Sequence, residues 1–252
     1  GNGIVFDENG AMYIADYTGH NILRYHNGKL NTFSHNSTMN QPNDLAIMQN
    51  GTLFASDPNW ADNSGKLWRI SRDGQSELLY RDMGTTNGIA VSPDQQFLYV
   101  NESVQRTVWR FRILPDNSLA DKTLFARFSE YGLDGMRTDS QGNLFIARYG
   151  KGVVAKMDIN GYLLQEYRLN NALPTNVALS RDEKTLYVTI QQCGCIERIG
   201  LRARRLWPHT RRRAQRPDRQ DRRKHDLPSF QAIRRLCQAG LLPARHPYRC
   251  GC

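Results

Sequence analysis

One unit recurs five times along the first 200 residues, and it restricts the folds open to this chain. Each copy opens with Asn or Asp, continues as a short apolar strand, turns, and returns as a second strand. The copies are GNGIVFDENGAMYIADY, PNDLAIMQNGTLFASDP, TNGIAVSPDQQFLYVNE, LDGMRTDSQGNLFIARY and TNVALSRDEKTLYVTIQ. Their opening Asn or Asp residues are spaced by 41, 44, 47 and 42 residues.

Two further strands follow most copies. Alternating apolar residues predict a third strand, as in NILRYH, KLWRIS, TVWRFR and GVVAKMD, and a turn then leads to a short outer strand. Four short strands repeated every 40–50 residues or so are typical of β-propeller blades. No helical pattern separates the strands, which excludes a TIM barrel, and a β-sandwich does not need such regular copies. We therefore predict an all-β propeller over residues 1–200.

Residues 201–252 form a tail of different composition. The tail carries 15 Arg and Lys against three Asp, whereas the first 200 residues carry 19 basic and 21 acidic residues, so the net charge of +10 belongs to the tail. A frameshifted segment, a disordered basic extension and a nucleic-acid-binding arm are the three interpretations. Scattered Trp, Cys, His and Pro favour the frameshift. We therefore leave the tail out of the functional argument and predict no nucleic-acid partner.

The two ends and the cysteines lead to further expectations. The chain starts at Gly1 inside a strand pattern, so we expect a blade to be missing upstream. No apolar run reaches the roughly 18 residues of a spanning helix, which predicts no membrane association. Cys193 and Cys195 stand one residue apart, too close for an easy disulfide. Without a disulfide framework in residues 1–200 we expect a reducing, cytoplasmic location. The oligomeric state is left open.

The opening residues of the copies form the candidate site. The first strand of each blade lines the central channel, so these residues should face a common axis. An oxygen-rich ring with one carboxylate suits a hard cation such as calcium. No His or Cys occupies this register, which disfavours zinc. The ring consists of Asn2, Asn43, Asn87, Asp134 and Asn176.

A plainer interpretation competes with a cation site. Asn and Asp before Gly are ordinary turn residues, because they tolerate left-handed backbone and hydrogen-bond their own main chain. Five such residues in one register leave the two interpretations about balanced. Elsewhere, Asp16 and Asp57 are expected to bond neighbouring backbone. Five aromatic side chains are expected to pack between blades. They are Trp68, Trp109, Phe54, Phe97 and Phe145.

Four segments resemble a known family. The strings QPNDLA, TTNGIAVSPDQQFLYV, GLDGMRTDSQGNLFIARYGKG and PTNVALSRDEKTLYVT are similar to the senescence-marker-protein/gluconolactonase family, also called regucalcin-like. The resemblance runs through residues 1 to about 199. It implies a six-bladed propeller, here shortened to about five blades, with one divalent cation in the channel. Calcium is the expected ion, with Zn²⁺, Mg²⁺ and Mn²⁺ as alternatives. The implied activity is hydrolysis of a sugar lactone or related cyclic ester.

The same resemblance assigns roles to individual residues. It implies Asn87 and Asp134 as metal ligands, with Asp134 also the general acid/base. Asn43 would face metal or substrate, and Asn176 lies in the same register as a substrate-binding candidate. Gln41 occupies the position where some sugar lactonases place a substrate-binding Arg. The first-blade Glu that is a metal ligand in the family has no counterpart in this sequence.

These residues suggest a mechanism and two competing hypotheses. The cation would stabilise charge on the lactone carbonyl oxygen as water attacks, and Asp134 would take a proton from water and return it to the ring oxygen. A relay through a second water is equally compatible. The competing hypotheses are a non-enzymatic propeller that serves as a binding scaffold, and an inactive fragment.

Overall fold

A computed structural model of the chain describes residues 2–201, and within them 19 strands form five antiparallel sheets. Blade 1 comprises β1 (Ile4–Phe6), β2 (Met12–Asp16), β3 (Asn21–His26) and β4 (Lys29–His35). Blade 2 comprises β5 (Leu45–Ile47), β6 (Leu53–Asn59), β7 (Ser64–Ile70) and β8 (Ser76–Gly84). Blade 3 comprises β9 (Thr86–Val91), β10 (Phe97–Glu102), β11 (Thr107–Ile113) and β12 (Leu119–Arg127).

The last two blades complete the described part of the chain. Blade 4 comprises β13 (Met136–Thr138), β14 (Leu144–Arg148), β15 (Val153–Met157) and β16 (Leu163–Arg168). Blade 5 comprises β17 (Pro174–Leu179), β18 (Thr185–Ile190) and β19 (Cys195–Gly200). In every sheet, strands adjacent in sequence are hydrogen-bonded neighbours. This meander and the five blades confirm the predicted all-β propeller. Residues 202–252, on which the predictions about the basic tail fall, lie outside the described residues.

Tight turns and buried apolar clusters explain this arrangement. Asn27 and Gly28 both have positive φ, 50° and 77°, as a two-residue hairpin requires. The core lies between consecutive blades, where four buried apolar clusters join blade 1 to 2, blade 2 to 3, blade 3 to 4 and blade 4 to 5. All five aromatic residues predicted to pack between blades belong to these clusters or pack against them.

The structure overturns one expectation. Cys193 and Cys195 are joined by a disulfide, and their Cα atoms lie 5.1 Å apart. The prediction that they are too close was wrong because Cys193 lies in the turn before β19 rather than in a strand. Gly194 between them has φ of 57°, which turns the two side chains towards each other. Separately, none of the described residues forms a helix long and apolar enough to cross a membrane.

Candidate active site at the channel mouth

The opening residues of blades 1, 2 and 3 form one chain of side-chain hydrogen bonds. Asn2 donates its amide to Oδ1 of Asn43, and Asn43 donates to Oδ1 of Asn87 across 2.7 Å. Asn43 and Asn87 are buried. The three side chains therefore lie together at one end of the inner strands.

The corresponding residues of blades 4 and 5 continue the series. Asp134 lies two residues before β13, and the side chain of Asn87 is close enough to interact with its carboxylate. Asn176 lies within β17 and directs Oδ1 towards Gly135, where an added Cβ would lie 2.1 Å away. The same Oδ1 accepts the N–H of Val177 at 2.8 Å. The side chain of Asn176 therefore lies against Gly135, the residue that follows Asp134.

Three ring positions are followed by Gly, and the structure explains the need for Gly there by close contacts rather than by a turn. Gly3, Gly88 and Gly135 do not have positive φ, so left-handed backbone does not explain them. A Cβ at Gly88 would lie 2.4 Å from the carbonyl oxygen of Asp134 in the next blade. Left-handed backbone, one part of the interpretation as ordinary turn residues, is therefore absent at these positions, whereas Asp134 does accept the N–H of the residue that follows it. Gly is required because the inner strands of neighbouring blades approach closely.

Main-chain hydrogen bonds join the inner strands at the same level. The N–H of Gly3 donates to the carbonyl of Asn43 at 2.7 Å, and the N–H of Gly135 donates to the carbonyl of Thr175 at 2.8 Å. From the second strand of blade 3, the side chain of Asn101 donates to the carbonyl of Asp134 at 2.6 Å. The backbone that carries the site is therefore held independently of the ring side chains.

Asp134 is the one acid among the ring residues, and its environment disfavours the ionised form. Burial raises the pKa of Asp134 well above its ordinary value, and the negative charge of Asp44 raises it further. The N–H of Gly135, 3.0 Å from Oδ1, and the side chain of Asn87 oppose this rise. Asp134 takes part in none of the ion pairs formed within residues 2–201.

An ion pair that the sequence pattern did not predict joins the inner strands. Arg137 of β13 lies 3.3 Å from Oδ2 of Asp44, which is 2% exposed. The guanidinium also donates to the carbonyls of Met136 at 2.7 Å, Ile89 at 3.4 Å and Ile4 at 3.3 Å. Arg137 thereby contacts the inner strands of blades 1 to 4. Two features of the sequence point to this pair. Asp44 is an acid at a position where three other copies have Gly, and Arg137 lies on the inner strand of another copy.

Gln41 belongs to the loop that leads into the ring. The carboxylate of Asp57 accepts the N–H groups of Gln41 at 2.6 Å and Asn40 at 2.9 Å, and the indole N–H of Trp68 at 2.8 Å. The expected backbone role of Asp57 is therefore confirmed. Gln41 lies two residues before Asn43 and is partly buried. Its role in substrate binding stays a prediction.

The ring residues fit a hard cation. The donors are amide and carboxylate oxygens, which calcium accepts, and Asp134 is a carboxylate without a cationic partner among the described residues. Asn87 and Asp134 are the pair that could hold the ion. Clusters of three or more His, Cys, Asp or Glu suited to a metal do not occur within residues 2–201. The site therefore depends on amide oxygens as well as acids.

Comparisons with known proteins agree with this architecture. A 6-deoxy-6-sulfogluconolactonase from Pseudomonas putida is 30% identical over 131 residues, which cover 50% of this chain and 45% of that protein. The chain thus matches somewhat under half the length of this curated relative. A gluconolactonase structure from Xanthomonas campestris superposes with a TM-score of 0.69 at 22% identity, covering 79% of this chain and 71% of that one.

A second solved structure has the same fold. A calcium-binding regucalcin from Agrobacterium tumefaciens superposes with a TM-score of 0.65 at 21% identity, covering 74% of this chain and 66% of that one. At these identities the structural likeness shows the fold alone. The family model described as the SMP-30/Gluconolactonase/LRE-like region matches residues 1–192. Its match extends over blades 1 to 4 and most of blade 5, and the chain therefore belongs to the SMP-30/gluconolactonase/LRE-like family.

Proposed function

We propose that this protein hydrolyses a sugar lactone or related cyclic ester with calcium as its divalent cation. The observation that carries the proposal is the position of Asp134. It is a carboxylate without a cationic partner among the described residues, and it lies at the end of a chain of Asn side chains in a member of this family. The relative from Pseudomonas putida is named a lactonase, and a solved structure of the same fold is described as calcium-binding.

Asn87 and Asp134 would hold the cation. When bound, calcium supplies positive charge that stabilises the oxygen of the lactone carbonyl as it becomes negative. Asn87 is fixed for this role because its Oδ1 accepts a hydrogen bond from Asn43 at 2.7 Å. Asn43 is itself oriented by Asn2. The three amides therefore orient the ligand atoms before substrate arrives.

Asp134 supplies the proton transfers. Its carboxylate accepts a proton from water while the water oxygen forms a bond to the carbonyl carbon. The bond from that carbon to the ring oxygen then breaks, and Asp134 returns the proton to the departing oxygen, giving the open hydroxy acid. Burial raises the pKa of Asp134 in the metal-free protein, whereas a bound cation would lower it, so a relay of the proton through a second water is equally compatible with this site.

Substrate hydroxyl groups would meet polar side chains at the rim of the ring. Asn43 keeps a second amide N–H beyond the one it donates to Asn87. Asn176 keeps its amide N–H groups, because its Oδ1 is the atom that bonds Val177. Gln41 enters from the loop that Asp57 holds. We infer that these three residues contact the sugar part of the substrate.

The test measures acid release from glucono-1,5-lactone by the full chain, with calcium and with excess EDTA. The variant Asp134→Asn keeps the shape of the side chain and removes its base, so we expect turnover to fall at least about a hundredfold. The matched control is Asp82→Asn, an exposed acid on β8. Calcium-dependent turnover retained by Asp134→Asn would contradict the assignment. Binding of the lactone without turnover by the wild-type chain would favour the scaffold hypothesis.

A further inference from the structure

A cavity of about 480 Å³ lies between blades 1 and 2, at the opposite end of the inner strands from the ring. The ring residues Asn2 and Asn43 precede β1 and β5, whereas the cavity is lined by the turns that follow these strands. Five residues of extended chain span roughly 16 Å, which separates the two places. The volume is in the range of about 300–1,000 Å³ that small-molecule sites occupy.

Polar side chains make up the larger part of the cavity wall, and apolar side chains form one part of it. Tyr13 and Phe33 pack edge to face, with ring centres 5.0 Å apart and planes inclined at 77°. Phe6, Ile47 and Met48 complete the apolar part of the lining. Phe6 is 57% exposed, so a large aromatic side chain borders this opening without being covered by the protein. The apolar part of the wall suits a flat apolar group.

Two arginines belong to the polar part of the lining. The guanidinium of Arg24 lies 5.8 Å from the ring centre of Tyr13, and its buried Nε has no hydrogen-bond partner among the described residues. Arg72 is held beside the cavity by the turn at Gly51, whose backbone lies against the aliphatic stem of Arg72. Neither arginine takes part in an ion pair within residues 2–201. The guanidinium of Arg24 also interacts with the hydroxyl of Tyr13, where burial raises the pKa and Arg24 partly opposes that rise, but it has no carboxylate partner among the described residues.

Two acids also line the cavity, but within residues 2–201 neither of them forms an ion pair with Arg24. Asp7 uses Oδ1 to accept the N–H groups of Asn9 at 3.0 Å and Ala11 at 2.8 Å, which holds its own turn. Its Oδ2 lies 3.5 Å from the hydroxyl of Tyr13. Glu8 is exposed. Glu8 and Arg72 are both exposed to solvent, so the preference for an anionic ligand over a cationic one depends mainly on Arg24, which has no carboxylate partner among the described residues.

We propose that this cavity binds a small organic anion in which a carboxylate is attached to an apolar ring. The carboxylate pairs with Arg24 and Arg72, since a guanidinium presents several N–H groups in the plane that a carboxylate matches. The ring packs against Tyr13, Phe33 and Met48. The site is independent of the proposed lactone chemistry, because it uses none of the ring residues.

The test titrates the full chain with 2-naphthoate and, separately, with 2-naphthalenemethanol, the neutral analogue of similar shape. Isothermal calorimetry measures the dissociation constants. We expect saturable binding of 2-naphthoate with a stoichiometry of one, and binding of the alcohol at least about tenfold weaker. Equal affinity for both compounds would overturn the proposal, as would failure of 2-naphthoate to bind.

Substitution of the two arginines tests whether 2-naphthoate binds in this cavity. Arg24→Gln should weaken 2-naphthoate binding at least about tenfold, and Arg72→Gln should weaken it several-fold. Arg72 is exposed, so its variant tests the site even where Arg24→Gln disturbs folding, which circular dichroism checks. The matched control is Arg81→Gln, which removes an exposed charge from β8 of the same blade. Unchanged affinity in Arg72→Gln, or an equal loss in Arg81→Gln, would overturn the proposal.

Discussion

Asn43 donates its side-chain amide to Oδ1 of Asn87 across 2.7 Å, and this bond joins the inner strands of blades 2 and 3 at the mouth of the channel. Both residues are buried, with 6% and 5% of their surface exposed. Inside a protein such a pair orients both amides, because either group left alone would lack a partner. The bond therefore holds Oδ1 of Asn87 towards Asn43 and leaves the amide N–H groups of Asn87 for the carboxylate of Asp134.

The first prediction concerns this bond. We expect Asn43→Ala to lower the free energy of unfolding by about 1–3 kcal/mol, because Oδ1 of Asn87 loses its buried donor. Urea unfolding measures the change. Asn9→Ala, in an exposed turn, serves as control and should change stability by about 0.5 kcal/mol or less. Equal stabilities for the two variants would show that the bond contributes nothing.

The second prediction concerns the close approach of blades 4 and 5. Gly135→Ala would place a Cβ 2.1 Å from Oδ1 of Asn176, so the side chain of Asn176 must move and give up its hydrogen bond to Val177, and we expect a loss of about 1–3 kcal/mol. Gly200→Ala is the matched control, because its Cβ would meet no atom within 4 Å. Thermal unfolding compares the two. A melting temperature for Gly135→Ala at or above that of Gly200→Ala would contradict the close approach.

The third prediction concerns pH. The pKa of Asp134 is raised in the folded state, so this residue favours folding below its unfolded pKa of about 3.9 and loses that contribution as pH rises through the folded value. In EDTA, Asp134→Asn should therefore become more stable than wild type as pH increases from 4 to 8. Urea unfolding at several pH values measures this difference. A difference that does not change with pH would mean that the pKa is not raised.

The fourth prediction concerns the ion pair in the channel. Arg137→Gln leaves Asp44 buried without its charged partner, and we expect a loss of about 2–4 kcal/mol at neutral pH. Asp44→Asn in the same chain should recover a large part of this loss, because it removes the uncompensated charge. Unfolding of both single variants and the double variant gives the coupling energy. Additive effects would show that the two side chains do not interact.

The fifth prediction concerns calcium and rests on the proposed function. Calcium at a hundred times its dissociation constant should stabilise the folded chain by about 2.7 kcal/mol, and EDTA should remove this gain. Asn87→Ala and Asp134→Asn should both abolish the calcium-dependent shift in melting temperature. An equal shift in wild type and both variants would place calcium elsewhere.

The repeats predicted the fold because they combine strand alternation with a regular spacing, and both depend on local sequence. Sequence register likewise placed Asn43, Asn87 and Asp134 at one level of the channel. The ion pair between Asp44 and Arg137 could not be foreseen, since it joins residues 93 positions apart whose meeting depends on the ring of blades. The disulfide of Cys193 was missed because it depends on backbone dihedrals at a single turn.

The main-chain bonds between inner strands have a consequence for how such a site can change over time. Because the N–H groups of Gly3 and Gly135 tie blade 1 to blade 2 and blade 4 to blade 5 through backbone atoms, the backbone there is held whichever side chain a ring position carries. A substitution at one position can then alter the local chemistry while the backbone at the other positions stays in place, although a neighbouring Asn side chain loses the partner that oriented it. Side chains at the channel mouth can therefore be exchanged one at a time, and the specificity of the site can change while its backbone is kept.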